Sequence, residues 1–175
     1  MNIFMDRMIR AAKLDVNLYE EVEADKGALG QAMAVVVISS IAAGLGSISQ
    51  VGFGGIFIGT ITALIGWYIW AYLTYLIGTK LLPEPQTRSD YGELLRTIGF
   101  SSSPGLIRVL GIIPGIGGLL FFVASIWMLV AMVIAVRQAL DYSGTLRAVG
   151  VCAIGWIIQV LLMGILFSFM GAPEV

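Results

Sequence analysis

Between Phe53 and Thr79 the chain carries no charged residue. Carried on to Leu82 as one helix at ~1.5 Å per residue, this stretch is about 45 Å long. The hydrocarbon core of a bilayer is only ~30 Å thick, so such a segment must tilt or protrude on one side. Further apolar runs lie at about 28–48, 91–113, 115–140 and 146–170. In lipid, backbone polar groups must be satisfied inside the segment, which restricts runs of this kind to helices. Charged residues make up only 12% of the 175, against about 25% in a soluble domain. The expected fold is an all-α integral membrane protein. It is a bundle of five transmembrane helices over 28–170 with a kinked third span. A short amphipathic N-terminal region, 1–27, precedes it, and a short tail, 171–175, follows.

The first 27 residues do not read as a signal peptide, because charges fall where an uninterrupted apolar core is needed. On a helical wheel Ile3, Phe4, Met8, Ala11 and Leu14 share one side, and Asp6, Arg10 and Lys13 the other. That pattern predicts a helix lying on the membrane surface. Arg7 falls on the apolar side, tolerable only if its stem reaches out to water. Asn17 with Glu20 resembles a capping box, and Asp25 and Asp90 are candidate caps for the helices that follow them.

Lys and Arg alternate along the chain. Arg7, Arg10, Lys13 and Lys26 precede the first run. Lys80, Arg88 and Arg96 flank the loop Pro83–Asp90, and Arg137 and Arg147 flank Asp141–Thr145. The loops at Ser49–Gly52 and Pro114, and the tail, have none. Basic residues stay cytoplasmic, so the N-terminus is expected in the cytoplasm, the C-terminus outside, and 91–113 as a true crossing.

Arg108 alone breaks that pattern. It follows Ser101, Ser102, Ser103 and Pro104, where proline removes a backbone donor and interrupts a helix. These five residues form the candidate site, for a lipid headgroup, a protein partner or a pore. A charge inside a span is costly and functional by default, yet no carboxylate lies within the apolar runs to pair with it. A helix kink sealed by its neighbours, with Arg108 reaching the interface, is the competing structural reading. Gly55, Gly59 and Gly66 fit close helix packing, as do Gly115 and Gly118 around the turn at Pro114. Trp67, Trp70, Trp127 and Trp156 fall mid-span and are expected inside the bundle. Gln159 reads as polar glue between helices.

The order of several segments is informative: LDVNLYEEVEAD, IGWYIWAYLTYLIGTKLL, YGELLRTIGFSSSPGLIRVLGIIPGIGG and AVRQALDYSG. Together they resemble the prokaryotic branch of the Yip-type membrane domain family, the Ypt/Rab-interacting proteins, over nearly the whole chain. The resemblance implies five membrane helices and a cytosolic N-terminus. It also implies a prokaryotic inner (plasma) membrane. Eukaryotic relatives act in ER–Golgi traffic and bind small prenylated GTPases. This chain lacks the long polar N-terminal region with a DLYGP-type motif, so GTPase binding does not carry over.

Histidine is absent, Cys152 is the one cysteine, and net charge is −1. No nucleophile–base pair or phosphate loop is legible, and no basic face for nucleic acid. No cofactor or metal is expected. The expected function is a non-enzymatic scaffold or partner- and lipid-binding bundle, whose partners are membrane lipids, other membrane proteins or further copies of itself. The alternative is a small transporter or channel built around the broken third helix.

Overall fold

The computed structural model describes residues 2–169, with side chains described through Leu161. Seven α-helices account for most of it: α1 (Ile3–Ala12), α2 (Val16–Ala24), α3 (Leu29–Gly46), α4 (Ile48–Leu76), α5 (Tyr91–Phe100), α6 (Gly117–Ala139) and α7 (Thr145–Phe169). A 3₁₀ turn, Lys26–Ala28, leads into α3, and one π-helical turn, Ile77–Leu81, prolongs α4. No strand occurs among the described residues. Among the described residues three helical stretches are long and apolar enough to cross a membrane: Lys26–Gly46, Ile48–Leu81 and Gly117–Ala139. A shorter apolar stretch, Thr145–Leu161, lies in α7.

The second apolar run starts earlier than Phe53. Helix α4 opens at Ile48, and Gly52 interrupts it with φ 63° and ψ −178°, a conformation open almost solely to glycine. The fourth begins at Gly117 rather than Gly115, whose φ of 88° makes the turn.

The third segment departs most from expectation. It is not one α-helix kinked at Pro104. Helix α5 stops at Phe100, and a 3₁₀ run from Ser103 to Ile112 follows, with Pro104 in its first turn. Proline cannot donate to the preceding turn. The serines before it close tighter bonds instead: Ser102 N–H to the Gly99 carbonyl at 3.1 Å and Ser101 Oγ to the Ile98 carbonyl at 2.7 Å.

Why 3₁₀ geometry persists for ten residues is explained by the partner. A Cβ on Gly99 would sit 2.7 Å from the Ala32 Cβ. One on Gly105 would run into Ser39 Oγ, and one on Gly111 would lie 3.0 Å from the Gly46 carbonyl oxygen. One on Gly46 would overlap the Arg108 carbonyl oxygen. Small residues thus recur every seven positions on α3 and every six on the third segment. Seven α-residues rise about 10.5 Å, and six 3₁₀ residues about 12 Å. From Gly105 to Gly111 the 3₁₀ repeat therefore keeps glycine facing α3 at every second turn, while Gly99 meets Ala32 from the end of α5. The contacts pair low numbers with low and high with high, so the segment runs parallel to α3 along nearly its whole length. It is central as well: Leu94 through Ser101, and Ser103 through Gly105, are buried.

The N-terminal pair packs onto this core. Leu18, Tyr19 and Val22 of α2 are buried, as are Arg7, Met8 and Ala11 of α1. Trp127 Nε1, midway along α6, donates to the Ala12 carbonyl at 2.8 Å. Helix α2 is capped by Asp15, whose side chain accepts from Asn17 N–H, so the capping box expected at Asn17 and Glu20 does not form. Asp25 does cap the turn into α3. Asp90 and Glu93 make a full capping box at the start of α5.

Candidate functional site

Two regions concentrate polar side chains. One is a cavity of about 680 Å³ among α3, α4, the third segment, α6 and α7. Of the five residues singled out by sequence, Arg108, Ser101 and Ser102 line it. Ser103 and Pro104 are buried beside it and are not among its lining residues.

Arg108 sits level with the end of α3, since its carbonyl meets Gly46. Its Nη2 donates to Ser125 Oγ on α6 at 3.1 Å, and its Cζ lies 5.6 Å from the Phe121 ring centroid, within cation–π range. Its Nε is buried and has no partner among the described residues. Among the described residues no carboxylate lines the cavity. Trp70, another lining residue, has a buried Nε1 that likewise has no partner among the described residues. Both nitrogens have almost no accessible surface, so they lie within the cavity wall rather than on it.

Glycines shape the cavity wall. Gly55, Gly59 and Gly66 of α4 all line it. A Cβ on Gly59 or Gly66 would meet nothing within 4 Å, and one on Gly55 only Val51 of its own helix. These residues therefore widen the cavity rather than seat another helix. Gly115 and Gly118 likewise face open space. Tightly packed glycines include 46, 99, 105 and 111, Gly44, whose Cβ would press on Ile56 of α4, and Gly78, whose Cβ would strike Leu140. Gln159 of α7 lines the cavity, and Trp156 does too while 67% exposed. Trp156 is thus not buried in the bundle as expected, whereas Trp67 is, donating to the Leu95 carbonyl at 3.0 Å.

The second region lies where α2, α5 and the end of α6 meet. Arg96, 5% exposed, donates its Nε to the Val22 carbonyl at 3.0 Å and also reaches the Glu23 carbonyl. These are the last-turn carbonyls of α2, which no intrahelical donor serves, and a cation there suits the helix dipole. Gln138 Nε2 donates to Glu20 at 2.8 Å. The Tyr142 hydroxyl lies 2.8 Å from the Leu82 carbonyl oxygen and donates at the end of the π-turn. Ser143 N–H and Oγ both donate to Glu84 at 2.9 Å, and Arg147 pairs with Glu84 at 3.2 Å.

A model of the Yip1 domain matches residues 17–167. The chain belongs to the Yip1-domain family. Searches of curated proteins and of solved structures each returned no match. Within this Yip1 domain, the segments YGELLRTIGF and AVRQALDYSG carry the second region: Glu93 and Arg96 from the first, Gln138 and Tyr142 from the second. Sequence reading registered these segments as distinctive without finding their work, which is to fasten α2 and the loops to the bundle. The match covers α2 and all that follows through most of α7 and leaves out α1.

The α1–α2 pair is held by ion pairs. Arg7, 4% exposed, contacts Glu21 and Asp25 at 2.9 Å each and donates to Gln31 at 3.0 Å. Arg10 pairs with Asp15 at 2.8 Å and Glu21 at 2.6 Å. Arg7 therefore turns inward to carboxylates instead of reaching out to water. The Arg10 guanidinium bonded to Asp15 and Glu21 holds both below the usual carboxylate range, and Arg7 bonded to Asp25 does the same there.

Glu23 behaves oppositely. Burial, reinforced by Glu93, Asp141 and Glu20 and opposed by Arg96, pushes its carboxyl up to about 8. A carboxyl raised in the folded state binds more protons there than when unfolded, so its stabilisation is complete below about 4.5 and is lost as pH rises to about 8. The depressed carboxylates act at the acid end, their contribution vanishing as pH falls through their folded values. The melting temperature should therefore decline from pH 5 to pH 8.5. Glu23→Gln should flatten that decline, and a Glu23→Gln slope equal to wild type would exclude Glu23 as its source.

Proposed function

We propose that this chain is a non-catalytic Yip1-domain membrane bundle that binds lipid and organises membrane partners. The supporting observation is the cavity: a guanidinium with no carboxylate among the described lining residues, and several hydroxyls, inside a bundle whose outer surface is largely apolar. Among the described residues no nucleophile is paired with a general base. The α1–α2 pair adds a second contact surface, where Ile3, Met5, Ile9 and Val16 are exposed and fit a membrane interface.

In this reading the bundle makes five crossings. The parallel run of the third segment beside α3 supports a shared direction, and α5 with the 3₁₀ run together rise about 35 Å, enough for ~30 Å of hydrocarbon. The alternating charge places the N-terminus in the cytoplasm and the C-terminus outside, in the prokaryotic plasma membrane that the sequence resemblance implies.

The test is isolation from native membrane in mild detergent, with mass spectrometry of what co-purifies. Specific lipid or a membrane protein at constant ratio is expected. A chain that retains neither would refute the function.

A further inference from the structure

We propose that the cavity holds one anionic phospholipid, whose phosphodiester is bound by Arg108 and whose acyl chain lies along the glycine face of α4. The proposal rests on the reading of the cavity as a lipid site and adds which lipid and how it lies.

Charge and hydrogen bonding define the head. The guanidinium has donors in a fixed fork that suits a phosphate. Nη2 already bonds Ser125 and Nε is buried, which leaves Nη1 as the nitrogen with accessible surface and no partner among the described residues. A phosphodiester supplies one negative charge and an acceptor for it. The described lining residues hold no carboxylate to receive an ammonium group, which disfavours zwitterionic heads beside one whose remainder is an uncharged polyol. The depth fits too. Arg108 lies level with the last residue of α3, and its ring partner Phe121 is in the second turn of α6. Both helices are candidate spans, so their ends mark headgroup level.

Shape argues for a tailed ligand over a free anion. The lining reaches along α3 from Ser47 back to Val36 and along α4 from Val51 to Trp70. At ~1.5 Å per residue these are about 16 and 28 Å, far longer than a phosphate ion. Away from Arg108 the walls include Ala63, Met128 and Met132, and Gly59 and Gly66 leave room for a chain. Exposed Trp156, exposed Gln159 and exposed Gly59 border the cavity from α7 and α4, which gives a lateral entrance between those two helices.

The full chain, delipidated in nonionic detergent, is titrated with dioleoyl-phosphatidylglycerol, dioleoyl-phosphatidylcholine and inorganic phosphate. Bound lipid is counted by native mass spectrometry. One phosphatidylglycerol should bind about tenfold tighter than phosphatidylcholine. Arg108→Gln should erase that preference, and Arg108→Lys should keep part of it. Gly59→Leu, which leaves Arg108 and the packed glycines untouched, should weaken phosphatidylglycerol binding by filling its path. Equal binding of both lipids by wild type would overturn the proposal while leaving the lipid-binding function standing. Displacement of phosphatidylglycerol by millimolar phosphate would overturn the acyl-chain part in favour of a free-anion site. Binding of neither lipid would remove the proposal and the function together.

Discussion

Gly46→Ala should destabilise the bundle strongly, and Gly59→Ala should not. Both glycines lie in apolar helices, and sequence alone would rank Gly59 the more sensitive, because it completes a GxxxG with Gly55. The structure reverses the order. A methyl on Gly46 would occupy the place of the Arg108 carbonyl oxygen and press on the Phe121 ring at 3.2 Å. The obstacle is backbone in the most buried segment, so no rotamer change relieves it. Overpacking of this kind costs about 1–3 kcal/mol and occasionally more. Loosening the seam also moves Arg108. At Gly59 a methyl meets nothing within 4 Å, and replacing a helical glycine gains about 0.5–1 kcal/mol. Unfolding midpoints in a mixed-micelle denaturant titration should separate the two variants in opposite directions from wild type. Equal midpoints would show that the third segment does not press on α3.

Arg96→Met should release α1 and α2 from the bundle. Arg96 serves the terminal carbonyls of α2 from a buried position on α5. A charged-group hydrogen bond contributes about 1.5–3 kcal/mol, and removing the donor leaves buried carbonyls unsatisfied. It also removes a cation that lowers Glu23 against its surrounding carboxylates. A local loss of about 3 kcal/mol corresponds to roughly a hundredfold faster amide exchange by local opening. Exchange should rise over 16–24 and stay near wild type over Val35–Ser39 in α3. Arg96→Lys should fall between, keeping the charge and losing the fork. Unchanged exchange over 16–24 would mean that the apolar contacts of Leu18, Tyr19 and Val22 hold the pair alone.

The two sets of results separate what local patterning carries from what contact decides. Asp90 and Asp25 cap helices as expected, because a cap is a bond to a backbone group two or three residues away. The apolar runs became helices for an equally local reason, since each satisfies its own backbone. Arg7 shows where locality ends. Its place on the apolar side of α1 was legible, yet its partners Glu21, Asp25 and Gln31 belong to other elements.

By itself, then, the sequence determined an all-helical Yip1-domain membrane protein, its apolar segments, the caps at Asp25 and Asp90, and Arg108 as a charge without a carboxylate in the apolar runs. Tertiary structure decided the rest. It set 3₁₀ geometry from Ser103 to Ile112, a repeat that keeps Gly105 and Gly111 against Ser39 and Gly46. It chose which glycines pack and which leave room, because a missing Cβ has meaning only opposite a neighbour. And it placed Arg108 and Trp70 around one cavity, joining residues from helices far apart in the chain.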